Sequence, residues 1–227
     1  MPLDILFAQG NEDACVRAAQ QLGFSAVCFA YPTLDALRDA PRVSSRLWLC
    51  RALFVSSPTP SEVQKLAQRA QSMGAFCLVQ ARDDAFNRFV LEKTAASVLV
   101  DPEQAHASDH LHFRRGGLDQ VLCRIAAARG KAFARSLPAL LTARNRPLLL
   151  GRALQNIRFC QRKHVPYGLV SFAETPAGMR GAHDLRSLSL ILGMDAVQYH
   201  LFEPFFCASD KVPSTSTPLK GNEKLYK

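Results

Sequence analysis

Two histidines one residue apart, His110 and His112, are the first candidates for chemistry, because alternate residues on a strand share a face and could hold one metal. Their surroundings argue against it. The chain has only six histidines, no acidic cluster stands beside these two, and Phe113-Arg114-Arg115-Gly116-Gly117 reads as a loop. No metal site is expected. The arginines are better placed. Arg82 and Arg88 follow one apolar run, Arg114 and Arg115 precede an amphipathic stretch, and Arg180, His183 and Arg186 surround the start of another. Cations at the beginning of a helix stand against its dipole, so arginines kept there point to an anionic ligand. Guanidinium's forked donors favour phosphate. Ion pairing with Glu92, Asp119 and Asp184 is the competing account of any single one of them.

The elements that must position these residues alternate. Cys15, Ala18, Ala19 and Leu22 have helical spacing and Gly23 closes that helix. Thr59-Pro60-Ser61-Glu62 has the form of a capping box with proline at the first helical position, ahead of Val63, Leu66, Ala67, Ala70 and Met73 on one face. Further helices are expected over 84–92, from Leu118 to Gly130, over 147–163 and around Leu185–Leu192. In the helix over 147–163 the shared face is expected to hold Leu150, Leu154, Ile157 and Gln161, with Arg152, Arg162 and Lys163 roughly opposite.

Short apolar runs at 3–7, 26–30, 47–55, 76–80, 98–100, 132–136, 167–170 and 196–199 read as buried strands. Alternating buried strands and amphipathic helices give a parallel sheet, and about eight strands suit a closed α/β barrel of the TIM-barrel-like (β/α) type. Barrel enzymes place their chemistry at the carboxyl ends of the strands. Here those ends read Gln9, Tyr31, Ser56, Gln80, Asp101, Ser136 and Ser171, with one carboxylate among seven. No catalytic residue is therefore assigned, and no G-x-S-x-G nucleophile elbow occurs.

The bulk numbers agree with a binding role. At 227 residues with 48% hydrophobic content the chain can bury a real core, while 28 Lys+Arg against 19 Asp+Glu leave a net charge of +9. Such a surface favours polyanions, nucleic acid first. Seven cysteines form no CxxC pair and sit singly in apolar runs, as small core residues of a reducing compartment do. The N-terminus MPLDILFAQ lacks signal-peptide features and no apolar run is long enough for a membrane span, so a cytoplasmic protein is expected. Residues 1–207 are expected to form a single barrel-like domain, and the polar stretch 208–227 a disordered tail.

Three blocks in order, GLDQVLCRIAAARGK, LLLGRALQNIRFCQRKHVP and SFAETPAGMRGAHDLRSLSLILGM, resemble protein component 3 of archaeal ribonuclease P, the relative of the thirty-kilodalton subunit of the eukaryotic enzyme. DDAFNRFVLE, SVLVDP and HLHFRRGGLD match in the expected order, so the resemblance covers roughly Leu3 to Glu203. It implies a barrel related to the polymerase-and-histidinol-phosphatase fold, acting as a protein cofactor of a ribozyme that removes the 5′ leader from precursor tRNA. It implies further that the RNA subunit carries the magnesium chemistry, that this chain binds no cofactor, and that its protein partner is component 2 in a two-plus-two assembly. The phosphoesterase cousins hold metal with a His-x-His on the first strand, where this chain reads DILFAQG.

By the same resemblance, the RNA-contacting positions carry over first onto Arg88 and Arg180, then onto Arg114, Arg115, His183 and Arg186. Ala81-Arg82 departs from the glycine-rich turn of the relatives and adds a cation. The rival reading is a free-standing metal phosphoesterase with His110, His112, Asp101 and His183 as ligands, and a third is a barrel that only docks a protein partner.

Overall fold

The computed structural model describes residues 2–7, 9–41, 43–56, 59–195, 197, 202 and 204–206. In chain order the elements are β1 (Leu3–Phe7), α1 (Glu12–Gln21), β2 (Ala26–Tyr31), α2 (Leu34–Arg38), β3 (Trp48–Val55), α3 (Pro60–Ser72), β4 (Phe76–Gln80), α4 (Asp84–Lys93) and β5 (Val98–Val100). There follow α5 (Gln120–Ala128), β6 (Ala132–Ser136), α6 (Leu137–Leu141), α7 (Arg146–Lys163), β7 (Tyr167–Val170) and α8 (Ala182–Ile191). The strands pair in sequence order, every neighbouring pair parallel, so each crossover lays its helix on the outside of the sheet.

The sheet closes on itself just beyond β7. Phe172 N donates to Ile5 O at 2.9 Å, Phe7 N to Ala173 O at 3.0 Å, and Leu6 bridges Ala173. Beside this seam the buried Asp4 carboxylate accepts the Ser171 amide at 2.7 Å and the Ser171 hydroxyl at 2.6 Å. The result is a TIM-barrel-like α/β barrel of seven described strands instead of the eight expected. Of the eighth, Ala196, Gln198 and Tyr199 lie outside the described residues, and Val197 is helical. The tail over 208–227 and Cys207 also lie outside them.

Seven strands enclose a narrower lumen than eight, and its residues are correspondingly small: Ala26, Cys28, Ala30, Cys50, Ala52, Ala132 and Ala134 pack with Ile5, Leu78, Val98, Val100 and Val170. Phenylalanines fill the wider ends. At the carboxyl mouth Phe7, Phe54 and Phe172 lie with ring centroids 5.0, 5.1 and 5.8 Å apart. At the opposite end Phe76, Phe202, Phe205 and Phe206 form a second cluster with centroids 4.7–5.9 Å apart. The other strand face packs against the helices through Val27, Phe29, Leu53, Val79, Leu99, Phe133 and Leu169, burying α3 by Val63, Ala67 and Ala70 as the spacing predicts. All six described cysteines are free and buried.

Local signals explain most boundaries. Thr59 and Glu62 make the expected reciprocal capping box. Helix α5 begins after Asp119 and not at Leu118, because the Asp119 carboxylate caps it by accepting the Leu122 amide at 2.7 Å. The short α2 and α6 were not expected. They are capped by Thr33 and Ser136, whose side chains accept the amides of Ala36 and Ala139. Lys131 ties the end of α4 to β6 by donating to the carbonyls of Thr94 at 2.9 Å and Ala96 at 2.6 Å.

Two outcomes follow from this packing. A Cβ on Gly168 of β7 would come within 2.3 Å of the Phe202 ring, so Gly168→Ala should cost roughly 1–3 kcal/mol. Thermal unfolding at the wild-type temperature would show that Phe202 is not seated there. Burial, opposed by the Ser171 bonds, raises the Asp4 carboxyl to about 6 from an ordinary 3.8. A carboxyl raised by folding lends stability that is complete below its unfolded value and lost as pH rises through the folded one. Between pH 4 and 7 the wild type should therefore lose up to roughly 3 kcal/mol that Asp4→Asn retains. Parallel urea-unfolding curves across that range for both proteins would contradict the assignment.

Candidate nucleic-acid interface

Between β5 and α5 the chain makes a long excursion over 101–119, which a buried polar network holds against β6, β7 and α7. Asp101 adopts a left-handed backbone, φ 52°, that aims its carboxylate at Ser136. It accepts the Ser136 amide at 2.8 Å and hydroxyl at 2.7 Å, and Arg135 Nη1 at 3.3 Å. Burial raises Asp101 to about 6, against the pull of Arg135 and the Ser136 bonds. Fully buried Glu103 accepts Tyr167 Oη at 2.6 Å, Asn156 Nδ2 at 2.8 Å and Arg135 Nη1 at 3.3 Å. Burial first, then the Glu103 charge, pushes the Tyr167 hydroxyl well up and keeps it a donor.

Arg152 secures the outer part of the excursion. It has no exposed surface, donates Nε to Asp109 Oδ1 at 2.7 Å, and donates Nη1 to the carbonyls of Glu103 at 2.9 Å and His106 at 2.7 Å. Burial works against a charged Asp109, but the Arg115 amide and Arg152 prevail and hold its carboxyl below the usual range. This corrects the expected face of α7. Its inward side holds Leu149, Arg152, Ala153, Asn156, Ile157 and Cys160, with two polar side chains pointing into the molecule. Spacing alone assigns an arginine to solvent, and the partners that bury Arg152 come from a distant loop.

The arginine groups are spread along the rim from β4 to β7. Arg82 is exposed, its guanidinium 5.0 Å from the Phe86 ring centroid, and Arg88 pairs with Glu92 at 2.8 Å, as the competing account proposed for that residue. His106 Nε2 bonds Asp84 Oδ1 at 2.8 Å, which joins the start of α4 to the excursion carrying Arg114 and Arg115. Arg114 lies on α7, donating to Gly151 O at 3.1 Å; Arg115 is half-buried and donates its amide to Asp109 at 2.9 Å. Exposed Arg180 donates to the carbonyls of Gly178 at 3.2 Å and Met179 at 2.9 Å, ahead of α8 where His183 and Arg186 are exposed. The backbone bonds leave the remaining donors of Arg114 and Arg180 available to an anion.

The mouth where barrel enzymes bind substrate is filled by Phe7, Phe54 and Phe172. Among the described residues no group of three or more His, Cys, Asp or Glu could hold a metal, so Asp101, His110, His112 and His183 form no ligand set there. Two features escaped the sequence reading: the network of Arg152, Glu103 and Asn156, and an exposed tip at His110–Phe113 beside the outer face of α7. Removing Arg152 takes the guanidinium from Asp109, which keeps only the Arg115 amide, and takes the Arg152 donor from the carbonyls of Glu103 and His106. Arg152→Ala should therefore cost roughly 3–5 kcal/mol and expose 101–119 to limited proteolysis, whereas wild-type protease resistance would show that the excursion holds without it.

No family model matches the chain. Over 166 residues it is 28% identical to ribonuclease P protein component 3 of Thermococcus gammatolerans, covering 72% of this chain and 73% of that one. Over 146 residues it is 29% identical to the component 3 of Thermococcus kodakarensis, covering 63% and 62%. In fold it matches a chain of archaeal ribonuclease P with mature tRNA, at TM-score 0.70 and 16% identity over 98% of this chain and all of that one. A Xaa-Pro dipeptidase matches more loosely, at TM-score 0.54 and 10% identity over 88% and 72%, and shares the barrel alone. In sequence this chain is similar to ribonuclease P protein component 3, and in fold to a chain of archaeal ribonuclease P.

Proposed function

We propose that this chain is a protein subunit of ribonuclease P, binding and bracing the catalytic RNA that removes the 5′ leader from precursor tRNA. The carrying observation is the 166-residue similarity to ribonuclease P protein component 3 in a barrel whose mouth is filled by aromatic rings. A barrel shut in this way acts through its surface, and the +9 net charge supplies one suited to RNA. Arg82, Arg88, Arg114, Arg115, Arg180, His183 and Arg186 contact the RNA backbone. Their positive charge lowers the repulsion between phosphates as the RNA folds.

The chain itself carries no catalytic residue and binds no cofactor. Magnesium belongs to the RNA subunit of the endoribonuclease, and the protein partner is component 2, two copies with two of this chain. The particle works in the cytoplasm on precursor tRNA; no helix among the described residues is long and apolar enough to cross a membrane.

RNA affinity should fall with salt along a log–log slope of roughly −0.7 to −0.9 per phosphate neutralised. Affinity unchanged over a several-fold salt range would remove the electrostatic mechanism. Arg180→Glu should lower cleavage support in a reconstituted particle while the variant unfolds at the wild-type temperature, and wild-type support would exclude Arg180 from the contact.

A further inference from the structure

The tip of the 101–119 excursion carries an apolar surface that the fold does not use. Leu111 is 92% exposed and Phe113 62% exposed, in a protein whose other phenylalanine clusters are packed into the barrel ends. The tip is held in one shape: His110 N donates to Phe113 O at 3.1 Å, and the His110 and Phe113 rings lie 4.5 Å apart at 39°. Beneath it, Asp109 is bound by Arg152 and by the Arg115 amide. An aromatic pair fixed in this way loses little further freedom on binding.

Arg114 connects the tip to α7. Its guanidinium lies against Gly151, where a Cβ would come within 2.9 Å of Cζ, and its carbonyl accepts Gln155 Nε2 at 3.5 Å. Gly151, Gln155, Arg158 and Arg162 follow at spacings of four, three and four, one face of a helix. Arg158 and Arg162 are exposed. Helix α7, RPLLLGRALQNIRFCQRK, contains no Asp or Glu, whereas solvated helix faces commonly alternate the two signs. From Gly151 to Arg162 this face runs about 16 Å at ~1.5 Å per residue, long enough to meet more than one phosphate of an extended strand.

We propose that the tip and the outer face of α7 form one track for an unpaired RNA strand, a base stacking on the His110–Phe113 pair while successive phosphates meet Arg114, Arg158 and Arg162. The inference rests on the RNA-binding function proposed above and adds what part of the RNA is taken. Single-stranded RNA is the occupant that matches both halves of the surface. Its bases offer flat apolar faces to an aromatic ring and its backbone offers the charge that an acid-free basic helix complements. A duplex keeps its bases stacked inside and would leave Phe113 uncovered.

The test is affinity of the full chain for its ribonuclease P RNA. Phe113→Ala should weaken binding roughly 5- to 100-fold, Phe113→Trp should keep it, and Arg158→Glu with Arg162→Glu should weaken it and flatten the salt dependence by about two phosphates. Thermal unfolding of each variant should match the wild type, since all three positions are exposed. If the wild type binds and Phe113→Ala or Phe113→Leu binds equally well, stacking is overturned and the proposed function stands. Variants that keep RNA affinity but lose a component 2 protein overturn the track in favour of a protein dock. Failure of the wild type itself to bind this RNA would remove both readings.

Discussion

The structure depends on closing a seven-stranded parallel sheet. An open parallel sheet leaves two edges of unpaired amides and carbonyls, and here β1 and the residues after β7 meet through two backbone bonds and the Asp4–Ser171 pair. The seam sets the lumen. Seven strands close on a narrow interior, which is why alanine and cysteine line it and why the bulky side chains are confined to its two ends. Filling those ends with phenylalanine completes the core and occupies the position at which enzymes with this fold bind substrate.

The same constraint moves function outward. With the mouth filled, the surface that varies freely is the set of connections on the carboxyl side of the strands, and the longest of these, 101–119, is held by charges instead of by a hydrophobic floor. Asp101 repeats at β6 the geometry of Asp4 at the seam, a buried carboxylate taking the amide and hydroxyl of one serine. Glu103 then binds groups from β6, α7 and β7, and Arg152 of α7 binds three groups of the excursion. Such buried pairs contribute less to net stability than to fixing one arrangement. In this protein that arrangement fixes where Arg114, Arg115 and the aromatic tip stand.

Much of the fold was legible in the sequence because it is locally encoded. The strands at 76–80, 98–100, 132–136 and 167–170 occur at the expected residues, since each is a short apolar run bounded by a helix and a turn. The α3 capping box and the glycines closing α1, α3, α5 and α8 at positive φ are likewise written in adjacent residues. The short α2 and α6 were missed because each is a single turn or so with no repeating apolar face. The strand count differed because closure is decided by seam geometry, which no single segment encodes.

The candidate site divides along the same line. Sequence by itself determined the chemistry on offer: basic groups ahead of helices, few carboxylates at the strand ends, no first-strand histidine and ordered blocks resembling a ribonuclease P protein. The physical reason is that composition and short-range spacing record which groups are present and which local structure carries them. Only the tertiary structure decided which cations face water. Arg152 is read from its spacing as a surface residue, yet Asp109 and the carbonyls of Glu103 and His106, more than forty positions away, make it the buried clasp of the excursion. Conversely, Phe113 looks like core by its residue type and stands exposed because Gly151 and Arg152, distant in sequence, hold the loop around it through Arg114 and Asp109.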